Sequence, residues 1–168
     1  MNLIFLDIDG VLNTHEPLEE GVMCGKLHAS KVRRLNLLIQ ETNASIVLSS
    51  AWRYLVHRGE MNLTGLGWLL RSHGVIDCLV GITRPDTMER PKWDGSTPWQ
   101  PCNNERGQQI SDFLRVCVGM LGVPCSRYVV IDDLDLGISE AKHPFVHVNG
   151  QRGFTWADYD KALAILKG

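Results

Sequence analysis

The chain has 168 residues, 44% hydrophobic and 21% charged, with a formal net charge of −2. That length suits one domain over residues 1–168 with a core that needs no disulfide or structural metal. The charge excludes a protein that coats nucleic acid through a broad basic field, and no apolar run is long enough to span a bilayer. The cysteines, Cys24, Cys78, Cys102, Cys117 and Cys125, are odd in number and form no C-x-x-C pair. Reduced thiols in a cytoplasmic protein are therefore expected, not a disulfide framework. Cys24 and His28 lack the second pair of ligands that a zinc site requires. The first residues carry no basic stretch ahead of an apolar one, so no cleaved leader is expected.

Strand-like and helix-like segments alternate along the chain, the pattern of a parallel sheet with helices on both faces. Leu3-Ile4-Phe5-Leu6 is an uninterrupted apolar run, as in a strand buried on both faces, and it runs into Asp7-Ile8-Asp9-Gly10-Val11. Ligands of open α/β sheets bind outside the carboxyl ends of the strands, and two acids crowded there call for a balancing cation. A solvated Asp-Gly turn is the plain alternative. Residues 13–27 read as a polar loop beside this end. Ser30 is expected to cap a helix that buries Val32, Leu35, Leu38 and Ile39 and stops near Thr42 and Asn43. A second apolar run over 45–48 ends in Ser49-Ser50. A helix over 62–72 turns Leu63, Leu66, Leu69 and Leu70 inward despite Gly65 and Gly67, and a third strand is expected over 76–80.

Residues 83–103 contain Pro85, Pro91, Pro98 and Pro101 and show no periodicity, which marks a long irregular segment. A helix over 104–121 follows, burying Ile110, Phe113, Leu114, Cys117 and Leu121, with Arg106 at its start. Residues 127–131 form a fourth strand that runs into Asp132-Asp133, with Asp135 close behind. A fifth strand occupies 145–148. The last helix starts at Thr155, whose hydroxyl can cap it while Asp158 sits in the first turn.

Acids, hydroxyls and a cation thus fall at element ends in a definite order, and in that order they resemble the motifs of the haloacid dehalogenase (HAD) superfamily of phosphohydrolases. Asp7-Ile8-Asp9-Gly10-Val11 matches the first motif, Asp-x-Asp-Gly-x, and Val47-Leu48-Ser49 the second. Arg106 stands where the third motif has Lys or Arg, and Asp132-Asp133 matches the acidic fourth. Ser49-Ser50-Ala51-Trp52-Arg53 and Glu105-Arg106-Gly107-Gln108-Gln109-Ile110 further resemble the small HAD subgroup associated with RNA-repair proteins. The resemblance implies a doubly wound, Rossmann-like α/β fold with a mostly parallel five-stranded sheet in the order 5-4-1-2-3. The motif separations leave no room for a large cap, so only residues 13–27 and 83–103 could roof the site.

It also implies a chemistry. Asp7 would attack a phosphate monoester and carry an aspartyl-phosphate, dividing one hard step into two easier ones. Mg²⁺ would offset the repulsion between the anions, held by Asp7, the Asp9 carbonyl and Asp133, with Asp132 acting through water. Asp9 would protonate the leaving alkoxide and later deprotonate water. Ser49, or Ser50 next to it, would donate to a phosphoryl oxygen beside Gly10. Arg106, or in its place Lys92, would neutralise the equatorial oxygens. Arg53 either binds substrate or pairs with a nearby acid. His57, His73, His143 and His147 lack a nucleophile partner and read as structural, and no Gly-rich Walker loop supports ATP-driven chemistry.

The leading reading is a Mg²⁺-dependent phosphomonoesterase. An open site favours a nucleotide or nucleic-acid end as substrate, and Arg84, Arg90 and Lys92 interleave with Trp93 and Trp99, cations and stacking rings together. A sugar-phosphate phosphatase is the alternative if those tryptophans pack on the domain. A receiver-like signalling module would place its phospho-acceptor after strand three, where the chain has Gly81-Ile82-Thr83. A non-catalytic phosphate-binding HAD module would be expected to have lost Asp7 or Asp9. No membrane and no obligate protein partner is expected.

Overall fold

The computed structural model describes residues 1–14, 27–84, 105–121 and 124–168, apart from the side chains of 105 and 117–121. Five strands, β1 (Asn2–Leu6), β2 (Ala44–Leu48), β3 (Leu79–Ile82), β4 (Arg127–Asp132) and β5 (Phe145–His147), form one sheet in the order β3-β2-β1-β4-β5. Every neighbouring pair is parallel. This is the 5-4-1-2-3 order read from the other edge. The helices are α1 (Ala29–Thr42), α2 (Tyr54–His57), α3 (Leu63–Ser72), α4 (Glu105–Leu121) and α5 (Trp156–Lys167).

Alternation along the strands builds two cores. Ile4, Leu6, Ile46, Leu48, Val129 and Ile131 pack with Leu35 and Leu38 of α1, Leu66 and Leu70 of α3, and Ala162 and Leu166 of α5. The opposite side chains, Leu3, Phe5, Val47 and Val130, pack with Ile110 and Phe113 of α4. The inner stretches of the central strands, Leu3–Leu6, Ile46–Leu48 and Val129–Ile131, are apolar because both of their faces are covered. Register then sets the site. Leu6 pairs with Leu48 on one side and Ile131 on the other, so Asp7, Ser49 and Asp132 leave the sheet side by side. By the same alternation they continue the row of Phe5, Val47 and Val130, on the face that α4 covers.

Local expectations are corrected, beginning with Leu63, which is exposed at the start of α3 and does not turn inward with Leu66 and Leu70. Ser30 does not cap α1: His28 occupies the N-cap position without a side-chain cap, and its carbonyl accepts from Lys31 and Val32 at 3.0 Å each. The helix therefore begins early enough to place Ser30 inside its first turn. The third strand is Leu79–Ile82, not 76–80. Asn36 holds the preceding residues on α1, donating to the Gly74 carbonyl at 2.8 Å and accepting from the Ile76 amide at 3.1 Å, so the chain reaches the sheet edge later. The stretch after β2 is ordered as a 3-10 turn over Ala51–Arg53 that leads into α2, two elements the periodicity did not announce. The last helix begins as expected, with Thr155 and Asp158 in a reciprocal capping box. No helix among the described residues is long and apolar enough to cross a membrane. Of segment 83–103, only Thr83 and Arg84 lie within the described residues, and Lys92, Trp93 and Trp99 lie outside them.

Candidate active site

The end of β1 gives Asp7, 4% exposed, its backbone amide donating to the Ile131 carbonyl at 2.9 Å. β4 gives Asp132, which is fully buried, and the next residue, Asp133. Oxygens of the three carboxylates lie within 4.8 Å of one another. Burial raises the pKa of Asp7 well above the ordinary carboxylate range, with Asp132 the next cause. Asp132 is raised chiefly by burial, against Arg106, and Asp133 by burial and then by Asp132. Such shifts report negative charge held close together in a low dielectric, an arrangement a cation relieves.

Arg106 supplies part of that relief. It stands in the first turn of α4, where a cation opposes the helix dipole and gains nothing from it. Its Nη1 lies 3.5 Å from Asp7 Oδ1 and bonds directly to Asp132 Oδ2. The approach of α4 depends on Gly107, whose amide donates to the Leu136 carbonyl at 3.1 Å and where a Cβ would collide with the Gly137 carbonyl. Gly10 is the second glycine with a spatial reason. It adopts φ +79°, and a Cβ there would strike the Asp133 carboxylate, so the turn after β1 lies directly against that acid.

The two acids of β4 are engaged differently. Asp132 Oδ1 accepts from the Leu134 amide at 2.9 Å and Oδ2 from Arg106, so both of its oxygens are taken. Asp133 makes no side-chain ion pair among the described residues, and His147 Nε2 meets its backbone carbonyl at 2.9 Å. Asp9 is exposed, and its Oδ1 accepts from Asn13 Nδ2 at 2.7 Å. Asn13 also binds the Gly10 amide through its carbonyl, at 2.9 Å, and its side chain, at 3.2 Å. The Asp9 side chain thus lies outside the acidic trio, held at the rim of the crevice.

Ser49 is buried at the end of β2, where its hydroxyl accepts from Thr83 Oγ1 at 3.3 Å. Ser50 is also buried, but its Oγ caps the following turn at the Trp52 amide, 3.4 Å away. Arg53 is buried in that turn and donates to the Ser50 carbonyl and to Gln109 of α4. Thr83 and Gln109 did not stand out in the sequence. Thr83 carries a signal in retrospect, a hydroxyl directly after a strand, as at Ser49. Gln109 carries a weaker one, a polar residue three positions after Arg106 on the side of α4 that also buries Ile110 and Phe113. The histidines are structural in position: His143 links Tyr128 Oη, at 2.9 Å from Nδ1, to the Gly107 carbonyl, at 2.8 Å from Nε2.

Hard divalent cations prefer oxygen ligands, and three convergent carboxylates with raised pKa values fit such an ion. The family model described as "HAD domain in Swiss Army Knife RNA repair proteins" matches residues 3–159. Neither a curated protein nor a solved structure matches the chain.

Proposed function

The chain belongs to the HAD domains of Swiss Army Knife RNA repair proteins, and from that premise we propose that it is a Mg²⁺-dependent phosphomonoesterase acting through an aspartyl-phosphate on Asp7. The observation that carries the reading is the convergence of Asp7, Asp132, Asp133 and Arg106 on one strand-end crevice. Asp7, Asp133 and the Asp9 backbone carbonyl would hold the metal, and the Asp133 carboxylate, which meets no cation among the described residues while Asp132 is bound to Arg106, supports it over Asp132 as the direct ligand. A bound Mg²⁺ would supply positive charge against which two anions can approach.

The residues of the chain do the rest. Asp7 attacks phosphorus along the line of the scissile P–O bond, and the leaving alkoxide takes a proton from Asp9, whose rim position gives it reach toward the leaving group. In the second half Asp9 removes a proton from water, which attacks the aspartyl-phosphate and frees Asp7. Arg106 holds Asp7 in its attacking position and offsets charge as it spreads over the phosphoryl oxygens, and Ser49 donates to one of them, with Thr83 donating to Ser49. Gly10 keeps the turn close to Asp133, and the Ser50 hydroxyl serves the turn geometry more than the substrate.

The substrate we propose is a phosphorylated nucleotide or nucleic-acid end. The family description supports it, and so does the interval between motifs, too short for a large cap. Catalytic efficiency on a 3′-phosphorylated oligonucleotide, a mononucleotide and a hexose phosphate, each with Mg²⁺ and each repeated with Asp7→Asn, tests both parts. Preference for the oligonucleotide and loss of turnover in the variant are expected. Preference for the hexose phosphate leaves a small-metabolite phosphatase, and wild-type rates from Asp7→Asn remove the mechanism.

A further inference from the structure

Arg53 differs from the other charges buried near the strand ends. It is only 5% exposed, yet its hydrogen bonds go to neutral oxygens, Nη1 to the Ser50 carbonyl at 3.2 Å and Nη2 to Gln109 Oε1 at 3.0 Å. Its Nε is buried without a partner among the described residues. The Tyr54 ring lies 5.3 Å from the guanidinium carbon. A buried guanidinium without a carboxylate is costly. Such a group is expected where a ligand brings the missing charge.

The surroundings give the sign and the place of that ligand. Arg53 bonds Gln109 of α4, three residues after the Arg106 that meets Asp7 and Asp132, and it follows β2, whose end lies beside that of β1, so its head group stands next to the acidic crevice. Arg106 is already engaged by Asp132 and Asp7, whereas Arg53 pairs with no carboxylate among the described residues. The carboxylates of Asp7, Asp132 and Asp133 outnumber the guanidiniums of Arg53 and Arg106 by one. A divalent cation would turn that deficit into a positive excess of one, a net attraction for a phosphoryl anion.

Resting on the phosphohydrolase reading above, we infer that Arg53 is a second substrate-binding cation, which grips a non-bridging phosphoryl oxygen from the β2 side of the crevice while Arg106 acts from the α4 side. Gln109 is its positioning residue. The amide carbonyl fixes Arg53 without neutralising it, whereas a glutamate at this position would consume the charge in a buried pair. Gln109 stands three residues after Arg106, on the same side of α4, so a single helix sets both cations.

The experiment is calorimetric titration of inorganic phosphate into the full chain with Mg²⁺ at constant ionic strength. It compares wild type, Arg53→Gln, Arg53→Lys and Gln109→Glu, each with a urea melt, and hydrolysis by wild type and Asp7→Asn runs alongside. Arg53→Gln is expected to weaken phosphate binding roughly tenfold or more, the worth of a charge-assisted hydrogen bond. Gln109→Glu should weaken it comparably while melting no earlier than wild type, which a purely structural Arg53 would not produce. Arg53→Lys should retain part of the affinity. Wild-type phosphate affinity in Gln109→Glu and in the folded Arg53 variants overturns the role of Arg53 and leaves the Asp7 chemistry standing. A wild-type chain that binds no phosphate, and hydrolyses as fast as Asp7→Asn, overturns both.

Discussion

Replacing Arg106 with alanine removes the cation that, among the described residues, touches both Asp7 and Asp132. Nη1 lies 3.5 Å from Asp7 Oδ1, where two unit charges attract by about 5 kcal/mol at an effective dielectric of ~20, before desolvation is subtracted. The side chains of Arg106, Asp7 and Asp132 are 11%, 6% and 0% exposed, so solvent screening is slight. Breaking such a buried pair from one side typically costs about 3–5 kcal/mol. The low end is expected here, because the orphaned carboxyls can bind protons. The sign follows from their shifts. Arg106 opposes the upward shifts of Asp7 and Asp132, so without it both rise further. A carboxyl with a raised folded pKa contributes stability below its unfolded value, near ~3.9, and loses it as pH climbs through the folded value. The variant should therefore be destabilised more at neutral than at mildly acidic pH. Transition-state stabilisation should fall by about 2–4 kcal/mol, roughly 30- to 1,000-fold in kcat/KM. Urea unfolding at two pH values and steady-state kinetics with Mg²⁺ read these effects separately. Unchanged stability with undiminished kcat/KM would refute the role, and a crippling Lys92→Ala beside a benign Arg106→Ala would transfer it to Lys92.

Chelation of divalent ions should abolish turnover, and Ca²⁺ should not restore it because its looser coordination misplaces Asp7; full activity in chelator would remove the metal from the reading. Asp9→Asn should lose most turnover and accumulate phosphorylated protein with an activated substrate, visible by intact mass, and wild-type turnover would exclude Asp9 as the proton carrier. Away from the site, Tyr159 Oη donates to Glu41 Oε1 at 2.5 Å, which pushes the tyrosine pKa up to about 12. Its contribution is complete below the unfolded value near ~10 and disappears as pH rises through the folded one. Tyr159→Phe should therefore melt earlier than wild type at neutral pH, and the gap should close in strong alkali; melting curves that stay parallel across that range would disprove the linkage.

What the sequence disclosed best was whatever belongs to a strand end. Leu3 to Leu6 and Val129 to Ile131 are apolar without interruption because each run lies between two neighbouring strands and under helices on both faces. The polar residues that follow, Asp7 and Asp132, then stand out by contrast. The five strands and four of the helices were legible for the same reason, since periodicity changes wherever burial changes, whereas the sheet order came from the family resemblance. Boundaries were less so. Ser30 looks like a cap in isolation, but the choice between Ser30 and His28 depends on where the buried Leu27 delivers the chain. The third strand moved because Asn36, on α1, bonds Gly74 and Ile76 across the fold. No window of consecutive residues contains that contact.

The same physics explains which parts of the site were hidden. A nucleophile beside a strand is set by local register, but an arginine acquires its meaning from what surrounds its head group, many residues away in sequence. Arg106 and Arg53 are indistinguishable as letters. One meets two carboxylates and becomes an ion pair, and the other meets a carbonyl and an amide and keeps its charge uncommitted. Gln109 decides the second case, and a glutamate there would have been an equally good helix former. Propensity cannot favour one over the other at that position. The distinction between a charge spent on the fold and a charge kept for a ligand is made only by the partner across the crevice.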